Sequence, residues 1–243
     1  MKWTLEVVIQ KLTEIKQKGF IGIPKGTFRV DDGVVGQILE REFHVAENNL
    51  CLRDLGEFEL KALRKTSKNL TLAHKTPETG LNPIQVFNRF GYIRKSNRQP
   101  DEMRKKLFCT VNGKKANPQG LKLWSENNHT VDMLFGDEII CKWNLERTLE
   151  KIDQIILVTA QTQGKANTAD EKFHYAEAQL MRGLKPLSEL INNSILVIEF
   201  SIDQHVADDG TPLGKRPHDR GPHIRIPRGK IKKAYDEVIP LPI

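Results

Sequence analysis

At 243 residues the chain is long enough to bury a substantial core as one large domain or two small ones, one compact unit being the simpler reading. It carries 38 Lys+Arg against 31 Asp+Glu, a net charge of +7 and a pI near 9.2, a balance that favours a polyanionic partner over an acidic or neutral one. No stretch approaches the run of about 18 apolar residues that spans a bilayer, and the segment after Met1 lacks a signal-peptide apolar region, so a cytoplasmic protein without a membrane partner is expected.

Leu5, Val8, Ile9, Leu12 and Ile15 recur at helical spacing, which predicts a surface helix over residues 5–18 closed by Gly19. A turn with Gly22, Pro24 and Gly26 leads to Asp31-Asp32-Gly33, where Asp32 is the expected N-cap of a second helix that places Glu40 near its end. After the polar Glu47-Asn48-Asn49, residues 58–63 and 69–74 read as extended segments joined by a basic turn with Arg64, Lys65 and Lys68, that is, as a hairpin. Further extended segments are expected at 106–111, 121–125, 130–135, 138–143, 154–159 and 194–202, the last two being apolar runs suited to central strands. Helices are expected at 83–90, 169–182, 186–192 and 229–237. The mixture predicts an α/β fold with a mixed sheet flanked by helices. Cys51, Cys109 and Cys141, odd in number and widely spaced, form neither a disulfide framework nor a C-x-x-C metal pair and read as small buried hydrophobes.

The chemistry concentrates in Asp54-Leu-Gly-Glu-Phe-Glu-Leu-Lys61. Alternate side chains of a strand share a face, so Glu59 and Lys61 point one way while Phe58 and Leu60 point into the core. Asp54 can fold back across a turn at Gly56 to join Glu59 around a hard cation, with the backbone carbonyl of Leu60 and waters completing an octahedron, which suits Mg²⁺. Such an ion would polarise a scissile phosphate and acidify a water that Lys61 orients. An acidic-x-Lys triplet is common in a chain with 28% charged residues and usually marks a solvated strand face, so the triplet alone is weak evidence. Glu57 falls on the Glu59 face by alternation and is an alternative ligand.

Val34 to Glu40 followed by Asp54, Glu59 and Lys61 resembles the PD-(D/E)xK nuclease core in its MutH-like form, where a helix glutamate precedes the Asp and the Glu-x-Lys. Arg53 stands where the family name has proline. Asp32-Gly33-Val34-Val35-Gly36-Gln37-Ile38-Leu39-Glu40-Arg41, the Asp54 to Lys61 run, Phe87-Asn88-Arg89-Phe90-Gly91-Tyr92 and Gly221-Pro222-His223-Ile224-Arg225-Ile226-Pro227 are together similar to the BcnI/MvaI group of type II restriction endonucleases, over nearly the whole chain.

This resemblance implies a single nuclease domain over residues 1–243, with two lobes around a DNA cleft as the variant, a catalytic centre at 32–75 and a recognition segment at 214–233. It implies Asp54 and Glu59 as metal ligands, Lys61 as base or water-orienting group, and Glu40 as the helix carboxylate. It further implies a monomer that cuts double-stranded DNA one strand at a time at a C/G-rich site, 5′-CC(C/G)GG after the second cytosine, beside a cognate DNA methyltransferase that makes no direct contact. A MutH-like nicking enzyme and a non-catalytic basic DNA-binding protein are the alternatives.

Arg64, Lys65, Lys68, Lys75, Arg89, Arg94, Lys95 and Arg98 are candidates for phosphate contacts, although any single one is more often a solvated side chain. The proline-stiffened segment 215–225 supplies base-edge readers: Arg220 and Arg225 for guanine O6 and N7, Asp219 for cytosine N4, and His218 and His223 as donors or acceptors. The resemblance adds His74, which with His223 is expected to meet the central base pair from opposite grooves. No H-E-x-x-H spacing supports a histidine metal site.

Overall fold

Thr4 opens the first helix, its side-chain oxygen accepting the Val7 N–H at 3.4 Å, and α1 (Leu5–Gln17) buries Val8, Leu12 and Ile15 as the helical spacing requires. The computed structural model describes all residues except 1, 25, 27–29, 46–52, 97–98 and 215, so Cys51, Arg98, Lys215 and the Glu47-Asn48-Asn49 segment lie outside the described residues. After β1 (Ile21–Gly22), α2 (Val34–Glu42) begins at Gly33 rather than Asp32: no side chain caps it, and Asp31 Oδ1 instead accepts the Gly33 N–H at 2.8 Å. Then come β2 (Glu59–Arg64), β3 (Asn69–His74), β4 (Thr79–Gly80), α3 (Pro83–Phe90), β5 (Tyr92–Lys95) and β6 (Met103–Val111). Next are β7 (Leu121–Trp124), β8 (Thr130–Phe135), β9 (Glu138–Asn144), α4 (Glu146–Ile152), β10 (Gln154–Gln163) and β11 (Lys172–Leu184). The chain finishes through α5 (Leu187–Asn192), β12 (Val197–Val206), β13 (His218–Asp219), β14 (His223–Pro227), a 3-10 turn (Arg228–Lys230), α6 (Ile231–Ala234) and β15 (Tyr235–Leu241).

The chain divides into two compact units. The first comprises Met1–Lys68, Arg147–Leu184 and Tyr235–Ile243. Its sheet runs β1-β11-β10-β2, with β15 also on β11; only the β10–β2 pairing is parallel, so the sheet is mixed as expected. Leu60, Ile156, Val158, Phe173, Tyr175 and Leu180 from this sheet pack with Val8, Leu12, Val35, Ile38 and Leu39 of α1 and α2 into one core. That burial, rather than helix propensity, holds both helices in place.

The second unit comprises Asn69–Glu146 and Lys185–Ala234 and holds two antiparallel sheets. One runs β3-β14-β12-β6-β5 with β13 on β12, and the other runs β4-β9-β8-β7. Within it, α3 starts at a complete capping box between Asn82 and Gln85, with Pro83 in its first turn. The two described thiols, Cys109 and Cys141, are buried, which pushes each up to about 12.

Three further expectations fail for identifiable reasons. Residues 58–63 and 69–74 do not form a hairpin: β2 pairs with β10 and β3 pairs with β14. Residues 169–182 form not a helix but β11, which is paired on both sides, and its run of helix formers from Ala176 to Met181 is overridden by that pairing. Residues 229–237 split into a 3-10 turn, a single helical turn and β15, where Tyr235 is buried and its hydroxyl donates to the Ile152 carbonyl at 3.0 Å.

Candidate active site

The turn before β2 is closed by reciprocal backbone bonds between Leu55 and Phe58, and Gly56 takes a φ of +64°, a region costly for side-chain-bearing residues. This reversal returns Asp54 to the start of the strand, where its Oδ2 accepts the Leu60 N–H at 3.1 Å. The C=O of a strand residue lies on the same side as its N–H, so the Leu60 carbonyl faces the same outer edge of β2 as Asp54. Strand alternation starts at Glu59: Phe58 and Leu60 are in the core, while Lys61 Nζ lies 2.6 Å from Glu59 Oε1. Glu57 precedes the strand and is exposed, so the alternation that would have put it beside Glu59 does not reach it.

Glu59 is only 1% exposed, and burial raises its carboxyl above the ordinary range, with Asp54 adding to the rise while Lys61 and Lys151 oppose it. Lys151 was not singled out from the sequence. It lies in the last turn of α4, and its Nζ sits 3.2 Å from Glu59 Oε2, a buried oxygen that nonetheless makes no hydrogen bond. Arg53 explains the placement: its Nε donates to the Lys151 carbonyl at 3.2 Å, Nη2 to the Glu150 carbonyl at 2.5 Å and Nη1 to the Glu57 carbonyl at 3.0 Å. Arg53 thus ties the Asp54 turn to the end of α4.

These donors fit a hard divalent ion. Asp54 Oδ2 sits at the outer edge of β2, its charge acts on Glu59, and Glu59 Oε2 is a buried acceptor without a hydrogen-bonded proton; magnesium is commonly held by one or two carboxylates with waters and phosphate filling the rest. Among the described residues no group of three His, Cys, Asp or Glu side chains converges as a metal cluster. Glu40 lies on α2, which packs against β2, but its charge bears on the buried Tyr175, whereas the charges bearing on Glu59 are Lys61, Asp54 and Lys151.

The expected DNA-reading residues all fall in the second unit. His223 on β14 is opposite His74 on β3, their ring centroids 4.2 Å apart at 64°. Burial, His74 and Arg225 push His223 down to about 4, and its Nδ1 is buried without a hydrogen bond. His218 is exposed on β13, and Asp219 Oδ1 accepts the Gly221 N–H at 2.8 Å. Arg220 reaches Asp203 at 3.1 Å, while Arg225 Nη1 lies 2.7 Å from Glu199 Oε2 and its Nε donates to Thr71 Oγ1 at 3.1 Å. Acidic partners therefore engage both arginines, Arg225 within β14 and Arg220 in the exposed turn before it.

Arg64 is a correction. It is 6% exposed, donates twice to Glu171 at 2.7 and 2.9 Å, and also reaches the Asp31 and Asp32 carbonyls and Asn167 Oδ1, so it fastens the first unit instead of facing a phosphate. Arg89 is paired with Glu138 at 2.6 Å, and Lys75 with Glu78 at 2.9 Å and the Asn144 carbonyl. Lys65, Lys68, Arg94 and Lys95 are exposed.

A sequence model of the MvaI/BcnI restriction endonuclease family matches residues 9–235. The chain belongs to the MvaI/BcnI restriction endonuclease family. No curated protein matches it. Restriction endonuclease MvaI in complex with cognate DNA is similar in fold, with a TM-score of 0.73 at 18% identity over 100% of both chains. MvaI without DNA gives 0.50 at 18% identity, over 100% of this chain and 99% of that one. Membership in a restriction endonuclease family makes this chain a DNA-cleaving enzyme by descent, and among the described residues no helix is long and apolar enough to cross a membrane.

Proposed function

We propose that this family member is a cytoplasmic, magnesium-dependent type II endonuclease of the PD-(D/E)xK, MutH-like kind that hydrolyses both strands of DNA at a short C/G-rich site. The observation that carries this reading is the return of Asp54 onto the Leu60 N–H, which sets a second carboxylate beside Glu59 while Lys61 touches the same glutamate. Asp54, Glu59 and the Leu60 carbonyl would hold the ion. When bound, magnesium supplies Lewis-acid polarisation of the scissile phosphate and a more acidic water. Lys61 orients the attacking water and stabilises negative charge developing on the phosphate. Glu40, on the helix behind β2, is proposed as a supporting carboxylate.

The first unit thus carries the cutting residues and the second the reading residues, His74, His218, Asp219, Arg220, His223 and Arg225, which supports the two-lobe form of the domain reading. The proposed target is 5′-CC(C/G)GG, cut after the second cytosine by a monomer that takes the strands in turn, with a cognate methyltransferase protecting the same sequence. Incubating plasmid with the protein and Mg²⁺ and sequencing the fragment ends tests site, cut position and strand usage together. Linear product with ends at that site is expected. A nicked circle that persists would indicate the MutH-like alternative, and untouched plasmid a binding protein without catalysis.

A further inference from the structure

The two oxygens of Glu59 are not equivalent. Oε1 is hydrogen-bonded to Lys61 at 2.6 Å, whereas Oε2 faces the Lys151 ammonium at 3.2 Å without a hydrogen bond. Lys151 is fixed at its backbone by Arg53, yet its side chain is 27% exposed and has room to leave. Asp54 and Glu59 balance Lys61 and Lys151 in charge, so a divalent ion joining this group would meet two ammoniums at close range.

We propose that Lys151 is a positioning residue that occupies the ion-facing oxygen of Glu59 in the metal-free protein and is displaced from it when a divalent cation binds. The inference rests on the reading of Asp54 and Glu59 as the metal-holding pair. An ammonium on Oε2 keeps a buried carboxylate in place before the ion arrives, and the same ammonium opposes the ion electrostatically, so metal affinity is set partly by this lysine. Lys61 stays on Oε1 throughout, and the two lysines thereby divide the glutamate between them.

The test is calorimetric titration of Ca²⁺ into the DNA-free protein at pH 8, comparing wild type with Lys151→Met, Lys151→Gln and Lys151→Arg, alongside thermal melts. Removing the charge while keeping a similar stem should tighten Ca²⁺ binding on the order of tenfold, the scale of a like-charge contact a few ångströms away in a partly solvated site. Lys151→Arg should stay near wild type. The metal-free melting temperature of Lys151→Met should fall and saturating Ca²⁺ should recover it, and Lys151→Gln supplies the same comparison should the methionine variant not fold. Binding by the Lys151 variants but not by wild type is the strong form of the same result. Equal or weaker affinity in both neutral variants overturns the role of Lys151, and leaves the catalytic reading standing if wild type cuts plasmid in Mg²⁺. Absence of ion binding in every protein, together with intact plasmid, overturns both.

Discussion

His74 and His223 face each other across β3 and β14, edge to face, with ring centroids 4.2 Å apart. One ring thereby helps to desolvate the other and opposes its charging, so His223 titrates at about 4 in the folded protein against 6.5 for an ordinary imidazole. The folded state then binds fewer protons than the unfolded state between those values. Stability is fully present above pH 6.5 and is lost as the pH falls towards 4, by up to roughly 3 kcal/mol. Urea unfolding across this window should show the slope in wild type and a flatter profile in His223→Gln. Identical profiles would remove the assignment.

If His223 reads the central base pair, as proposed, it does so as a neutral imidazole. A neutral imidazole can donate to guanine or accept from its exocyclic amine, and A·T lacks that minor-groove donor. Oligonucleotides with C·G or G·C at the centre should be cut about 5- to 150-fold faster than those with A·T, the equivalent of roughly 1–3 kcal/mol. His223→Ala should lose the preference. Equal rates on all centres with wild type would contradict the reading.

Asp54→Ala, Glu59→Ala and Lys61→Ala should each reduce cleavage by about a hundredfold or more while leaving DNA affinity largely unchanged, because they remove ion and water chemistry but not phosphate contacts. Ca²⁺ should support binding without rapid cutting, since its looser coordination positions water poorly. Gel-shift and single-turnover assays on the same preparations separate the two effects. Near-wild-type cutting by Asp54→Ala would dismiss the proposed centre.

Arg64 and Lys68 are close in sequence and should behave oppositely. Arg64→Ala leaves the buried Glu171 without its cation, the Asn167 N–H still donating to it, a loss on the order of 3–5 kcal/mol that chemical denaturation would detect. Lys68 is exposed, so Lys68→Ala should leave stability alone and, if the lysine meets a phosphate, reduce the salt dependence of DNA binding by about 0.9 in log-log slope. An unchanged slope would take Lys68 out of the DNA contact.

What was readable from the sequence is what depends on neighbours in the chain. Phe58 and Leu60 alternate with Glu59 and Lys61, and the structure keeps that alternation. The Asn82 capping box likewise begins α3 at Pro83, where the sequence places it. What was hidden depends on distant partners. β11 looks helical because Ala, Gln, Glu, Leu and Met favour helices, and only its pairing with β10 and β15 decides otherwise. Arg64 looks like a surface cation until Glu171 is beside it, and the short α4 gives little periodicity to reveal that Lys151 reaches Glu59.

Arg53 has a consequence for the order of assembly. A proline stiffens a turn even in the unfolded chain, because its ring restricts φ there too, whereas an arginine stiffens it only after its acceptors exist. Here those acceptors include the carbonyls of Glu150 and Lys151, nearly a hundred residues downstream, and β2 gains its parallel neighbour only from Gln154 onward. A growing chain that ends before Glu146 contains Asp54, Glu59 and Lys61 but lacks the clamp, the second ammonium and the adjoining strand. The proposed cutting centre is therefore a late product of synthesis, completed only by long-range closure.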